Sequence, residues 1–368
     1  MSRQPESEQD GRPGAGIRGS GGPLRAVALG GGHGLFATLS ALRLLTDEVT
    51  AVVTVADDGG SSGRLRGELG VLPPGDLRMA IAALAEDGPE GELRRRLFQH
   101  RFGGTGALAG HAVGNLVLAG LIEVLGDPVA ALDEACALLG VRGRVLPMCT
   151  DPLVIEADVT GLHADPGGTA RIRGQVAVAS TPGRVQRVWL RPERPRACPD
   201  AVRAVLEADV VLLGPGSWFT SVLPHLLVPE LREALVSTRA RRVVVLNLAP
   251  QPGETAGFSP EQHLDVLSQH APELRVDAVL ADGRTVPVPQ RLRRSAEALG
   301  GRAVLAPIGE SDGTPRHNPA ALAKAVRGVL ADLAGIERPP DTHLHHEVSA
   351  FGSGGVEFLF GEENERWR

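Results

Sequence analysis

The chain has 368 residues, enough for two or three domains of ~150 residues or one large α/β domain, and its 38 basic and 44 acidic side chains leave a formal charge of −6. That balance argues against nucleic-acid binding driven by bulk charge, while a hydrophobic content of 42% supplies a sizeable core. Lys324 is the only lysine and tyrosine is absent, which excludes a Walker-type phosphate loop, kinase-style lysine pairing of phosphates and a Tyr–Lys dehydrogenase.

Residues 1–23, rich in Gly, Ser, Pro and charge, read as a disordered N-terminal extension. From Leu24 short aliphatic runs alternate with helical stretches. Arg25–Gly30 is predicted as a strand, Leu35–Leu45 as a helix and Val49–Val55 as a second strand. This βαβ opening favours a parallel sheet with right-handed crossovers. Leu153–Thr160, Ala170–Val178 and Val185–Leu190 alternate with period two between polar turns, and predict a small antiparallel β insertion or lid over 151–195. Buried-strand runs resume at Asp209–Gly214, Arg242–Leu248, Val276–Leu280 and Ala303–Ala306. Pro229–Ser237, Pro260–His270 and Pro319–Leu330 open with the proline that suits a helix's first turn. One α/β domain is thus expected over 24–335, with a tail at 336–368 that holds His343, His345 and His346 as solvated side chains. No apolar run approaches the ~18 residues of a membrane span, and the N-terminus lacks an apolar signal core. Cys136, Cys149 and Cys198 share no metal or redox spacing, as expected of reduced thiols in a cytoplasmic protein.

The chemistry gathers in loops after strands. Gly31, Gly32, His33 and Gly34 follow the first strand and open a helix, where backbone N–H groups can receive an anion. This is not the dinucleotide fingerprint, because Leu35 stands where a third glycine belongs. After the second strand come Asp57 and Asp58, then Gly60, Ser61, Ser62 and Arg64. Acids at a parallel strand's carboxyl end suit ribose hydroxyls or Mg²⁺, and the Gly/Ser run with its arginine suits phosphate; capping a turn is the bland alternative. Asp76, in Pro74-Gly75-Asp76-Leu77-Arg78, is placed as a helix cap or as a neighbour of the phosphate site. His111 and Asn115 stand four apart at an apolar helix start. Gly214, Gly216, Ser217, Thr220 and Ser221, then Asn247 and Gln251, then Arg316 complete a set of loops on one sheet edge that describes a nucleotide-sized cleft. No Ser/His/Asp or Cys/His nucleophilic triad stands out.

The run from Gly30 through Ala56–Arg66 to Asp76 resembles the gluconeogenesis factor family, the YvcK-like branch of the superfamily that contains 2-phospho-L-lactate transferase. The resemblance continues through Phe98–Phe102, His111–Leu116, Arg142–Pro147, Gly214–Ser221 and Gln251–Thr255 to Arg316-His317. It implies a Rossmann-like three-layer α/β/α fold and a cytoplasmic regulator of cell shape and cell-wall synthesis during gluconeogenic growth. The implied ligand is a nucleotide sugar, UDP-N-acetylglucosamine first, with its diphosphate on Gly30–Gly34 and Gly59–Gly63. Arg64 or Arg316 would offset its charge, and Asp57 or Asp58 would hold ribose or a metal. The alternative is a phospholactate transferase of deazaflavin coenzyme biosynthesis, with Asp57, Asp58 and Asp76 around Mg²⁺; a nicotinamide-dinucleotide binder is a weaker third. No resident cofactor is assigned beyond candidate Mg²⁺, no nucleic-acid or membrane partner is expected, and the expected assembly is a homo-oligomer.

Four departures from the family pattern bear on ligand choice. His33 stands where Thr is usual, Trp218-Phe219 where Leu-Tyr is usual, and His225 where Asn is usual. The tyrosine that the family carries near its C-terminal arginine is missing. Trp218 or Phe219 is the candidate to stack on the base in its place.

Overall fold

A computed structural model describes residues 22–162 and 168–334. The N-terminal extension up to residue 21 and the tail from residue 335, with its histidines, lie outside the described residues. The strands are β1 (Ala26–Gly30), β2 (Val49–Val53), β3 (Arg144–Pro147), β4 (Val154–Thr160), β5 (Thr169–Arg173), β6 (Arg184–Arg191), β7 (Val210–Leu213), β8 (Arg241–Val245), β9 (Ala278–Ala281) and β10 (Arg302–Leu305). Seven of them form one sheet in the order β10-β9-β8-β7-β1-β2-β3, and every pairing in it is parallel.

The apolar runs explain this sheet. β1 and β7 are buried along their whole length, as strands covered by helices on both faces must be. The chain moves outward from β1 to β2 and β3, returns to β7 on the other side of β1, and continues outward to β10. Right-handed crossovers therefore place the helices of the two halves on opposite faces. On one face Gly32–Leu42 packs against Pro74–Leu84 and Pro319–Ala334; on the other Pro199–Glu207 packs against Pro229–Ser237. The strand order reverses between β1 and β7, and open α/β sheets leave a crevice outside the carboxyl ends of the strands at such a point. The expected Rossmann-like three-layer fold is the observed one.

The insertion is a separate antiparallel sheet in the order β5-β4-β6. Only part of the expected second run is a strand, because Ala170–Val178 breaks at Gly174 (φ 102°) and continues as the helix Gln175–Ala179. The Val176 N–H at its start donates to Asp58 Oδ1 (2.9 Å), 118 residues away in sequence. A long-range cap of this kind leaves no trace in local periodicity. Strand β3 is an addition to the expected elements: it is a four-residue edge strand that ends in proline, where local β signals are weakest.

His225, fully buried, presents Nε2 to the Val52 carbonyl at the end of β2 (3.1 Å). Burial holds the ring neutral and pushes its pKa down to about 4. The unfolded chain takes up this proton below pH ~6.5 whereas the folded chain does not, so stability is full above that pH and falls as pH drops toward 4. Comparing urea unfolding of His225→Asn with the parent between pH 4 and 8 should show the variant losing about 3 kcal/mol less on the acid side. Identical acid limbs would assign the lability to other groups.

Candidate functional site

The two turns that flank the switch point are packed into each other. Gly31 precedes the helix Gly32–Leu42, whose first turn opens at the carboxyl end of β1. A Cβ on Gly31 would meet the Asp76 carboxylate and lie 2.7 Å from Thr54 Cγ2 and 3.2 Å from Ser221 Oγ. A Cβ on Gly34 would strike the Pro215 carbonyl and lie 2.6 Å from Gly216 Cα. The β7 turn adopts the left-handed region at Gly214 (φ 77°) and Gly216 (φ 132°). It is held from the next strand by Asn247, which accepts from Gly216 N–H and donates to Gly216 O, both at 2.8 Å.

A cleft of about 540 Å³ opens on one side of the β1 turn. His33, Gly34, Phe36 and Ala37 form one wall and Gly216, Asn247, Leu248, Pro250, Gln251 and Pro252 another, with Pro315, Arg316 and His317 at the far side. Its surface is largely apolar with a few polar groups, the composition of a site for a flat organic group. Arg316 is exposed, and its guanidinium is aimed by Asp312 Oδ2 (2.7 Å) and Thr314 Oγ1 (3.0 Å).

A second cleft, about 680 Å³, is linked to the same turn through Asp76, which accepts from Gly32 N–H. Asp57, Gly60, Ser61, Ser62, Arg64, Asp76, Arg78 and Arg101 line it. The helix Gly60–Leu69 begins there and directs its first N–H groups toward it. A chain of hydrogen bonds runs beneath. Arg78 Nε donates to Asn115 Oδ1 (2.8 Å), Asn115 Nδ2 donates to Ser61 Oγ (2.9 Å), and Ser61 Oγ shares a hydrogen bond with His111 Nδ1 (2.9 Å). Burial first, and the nearby Arg64 second, lower the His111 pKa and favour its neutral ring. All four side chains are buried. Burial, opposed by nearby Asp76, also lowers the Arg78 guanidinium to about 10.

The acidic groups take different positions from those expected. Asp57 Oδ1 accepts from Gly59 N–H (2.9 Å), and its charge acts on Asp76. Burial first, and Asp57 second, push the Asp76 carboxyl up to about 7, although it accepts from Gly32 N–H. Asp58 instead faces Gly174 and holds the insertion helix through Val176. The expected metal pair Asp57 and Asp58 therefore does not converge, and the carboxylate that joins Asp57 is Asp76. Among the described residues no group of three or more His, Cys, Asp or Glu side chains is placed to hold a metal.

Ser217 and Thr220 are turned away from both clefts. Their hydroxyls donate to Glu254 Oε1 (2.6 Å from Thr220), whose second oxygen accepts from Phe219 N–H (3.3 Å). Trp218 and Phe219 are fully buried, with Trp218 Nε1 donating to His263 O (3.1 Å). Neither ring can stack on a base, so that expectation fails. Glu254 organises this turn without contacting either cleft. Glu254→Ala leaves two hydroxyls and one N–H without their acceptor, and should lower unfolding free energy by about 2–4 kcal/mol in urea titrations; a loss below about 0.5 kcal/mol would contradict this role.

Arg78 and Arg101 are the site residues that sequence pattern does not mark. Arg78 interrupts an apolar helix, Pro74–Leu84, which is the available signal; Arg101 donates to Gly110 O (2.9 Å) and gives none. No helix among the described residues is long and apolar enough to cross a membrane.

Residues 26–305 match the family of 2-phospho-L-lactate transferase CofD. A Mycobacterium tuberculosis protein bearing the gluconeogenesis factor name is 61% identical over 317 residues, covering 85% of this chain and 92% of that one. The gluconeogenesis factor of Bacillus subtilis is 39% identical over 280 residues, covering 76% and 84%. The crystal structure of a UPF0052 family member from Bacillus halodurans superposes with a TM-score of 0.73 at 34% identity, covering 83% of this chain and 98% of that one.

Proposed function

The chain belongs to the CofD family, in its YvcK-like gluconeogenesis factor branch, and from that premise we propose that it is a cytoplasmic regulator that binds a nucleotide sugar of the UDP-N-acetylglucosamine kind and controls cell shape and cell-wall synthesis during gluconeogenic growth. The observation that carries the reading is the pair of clefts linked to one glycine turn, one through His33 and Gly34 and the other through Asp76. A base and ribose fit the apolar cleft between Phe36 and Leu248. The diphosphate fits across Gly31–His33 and the first turn of Gly60–Leu69, where helix N-termini favour anions. The sugar then enters the arginine-lined cleft, with Arg64, Arg78 and Arg101 offsetting the phosphate charge. Calorimetric titration with UDP-N-acetylglucosamine tests this: saturable heat and a thermal shift support it, and neither at millimolar ligand overturns it.

One observation favours a second reading, the Mg²⁺-dependent transfer of a phospholactate group. Asp57 and Asp76 are close enough for one to raise the pKa of the other, and a divalent cation relieves such a pair. Mg²⁺ binds through one or two carboxylates and substrate phosphates, so these residues fit it, and it would stabilise charge at phosphorus. Asp76 with a pKa about 7 is suited to take a proton from an attacking hydroxyl. Turnover of the guanosine-linked phospholactate with a deazaflavin acceptor, lost in Asp57→Asn, would favour transfer over sensing.

A further inference from the structure

The insertion is charged in the opposite sense to the chain as a whole. Residues 153–197 hold seven arginines and four acids, an excess of +3 in a chain of formal charge −6. One face of its sheet is apolar and buried through Ile155, Ala157, Val159, Val188 and Leu190. On the other face the cross-strand registers set Arg173, Glu156 and Trp189 in one row and Arg171, Asp158 and Arg187 in the next.

The acids of this face are already used. Asp158 pairs with Arg171 (2.9 Å) and Glu156 with Arg191 (3.0 Å). Arg173 and Arg187 are exposed and make no ion pair or hydrogen bond among the described residues. The guanidinium groups of Arg171 and Arg187 lie over the Trp189 ring at 4.4 Å and 5.6 Å, which holds them in place.

We infer that this sheet face is a docking surface for an acidic, extended segment of a partner protein, which sets its carboxylates on Arg173 and Arg187. Two features select a peptide over a nucleic acid. Arginines already cover the aromatic ring that a base would need. Glu156 and Asp158 run down the middle of the face and disfavour a uniform polyanion, whereas spaced carboxylates can avoid them. The inference supplies the regulator with a place to act, yet it does not depend on which ligand fills the clefts.

The test uses the full chain and a fluorescein-labelled peptide of alternating glutamate and serine, about ten residues long, read by anisotropy at about 0.15 M salt. A lysine–serine peptide and a labelled oligouridylate serve as comparators. Saturable binding of the acidic peptide is expected, weakened at least about tenfold by Arg173→Glu with Arg187→Glu. Arg194→Glu with Arg196→Glu changes net charge equally at exposed positions beyond the strands, and should leave affinity nearly unchanged. If the first variant unfolds early in a thermal scan, Arg173→Gln with Arg187→Gln replaces it. No saturable binding, an equal loss in the control pair, or tighter binding of oligouridylate overturns the proposal. No nucleotide sugar is present in these titrations, so their failure leaves the ligand assignment untouched.

Discussion

Asp76→Asn should make the protein more stable at pH 8. Burial and the neighbouring Asp57 raise the Asp76 pKa from 3.8 to about 7. A carboxyl whose pKa is raised on folding binds more protons in the folded state between those two values. Stability therefore falls as pH rises through this window, and the full cost applies above pH 7. Three units correspond to about 4 kcal/mol; the half-buried position of Asp76 reduces this to about 2–3 kcal/mol. Asparagine keeps an acceptor for Gly32 N–H and removes the charge. Urea unfolding at pH 8 should show the gain and at pH 4 should not. A variant destabilised equally at both pH values would make Asp76 a structural cap. Retaining an unfavourable charge in the wall of a cleft is the pattern of a functional group rather than of a stabilising one.

Gly34→Ala should be among the most damaging single methyl groups in the site. Its Cβ would occupy the space of the Pro215 carbonyl and Gly216 Cα. These are backbone atoms fixed by Asn247 and by the parallel pairing of β1 with β7, so no side-chain rotation relieves the overlap. The two turns must separate, at about 2–4 kcal/mol, and the wall of the apolar cleft moves with them. The expected results are a lower thermal midpoint and loss of nucleotide binding. An unchanged midpoint would show that the turns are not in the close contact described. Substitution at Gly67, whose Cβ would meet nothing within 4 Å, provides the matched control.

Much of this arrangement is legible in the chain, for reasons tied to distance along it. The β1 turn reads correctly because strand, glycines and helix are contiguous, and each element has its own periodicity. The parallel sheet follows from buried aliphatic runs separated by helices. Ser61, His111 and Asn115 are each visible as polar residues beside glycines, and folding joins them in one hydrogen-bonded chain with Arg78. Roles set by a distant partner are invisible. Asp58 looks like a second metal ligand beside Asp57 until Val176 claims it. Ser217 and Thr220 look like phosphate donors until Glu254 takes both hydroxyls. Trp218 and Phe219 look available for stacking, yet the core encloses them. Asp282, unmarked in sequence, is held well below the usual carboxylate range by Arg284 and fastens the turn after β10 through Ile308 and Gly309 N–H.

The central claim is that one extended nucleotide sugar bridges the two clefts over the Gly31–Gly34 turn. A crystal structure of the protein with UDP-N-acetylglucosamine tests it most directly. The account predicts the uracil between Phe36 and Leu248, the diphosphate over Gly31–His33 and the sugar beside Arg64, Arg78 and Arg101. Density for the whole ligand within a single cleft, or away from the carboxyl edge of β1 and β7, would contradict it.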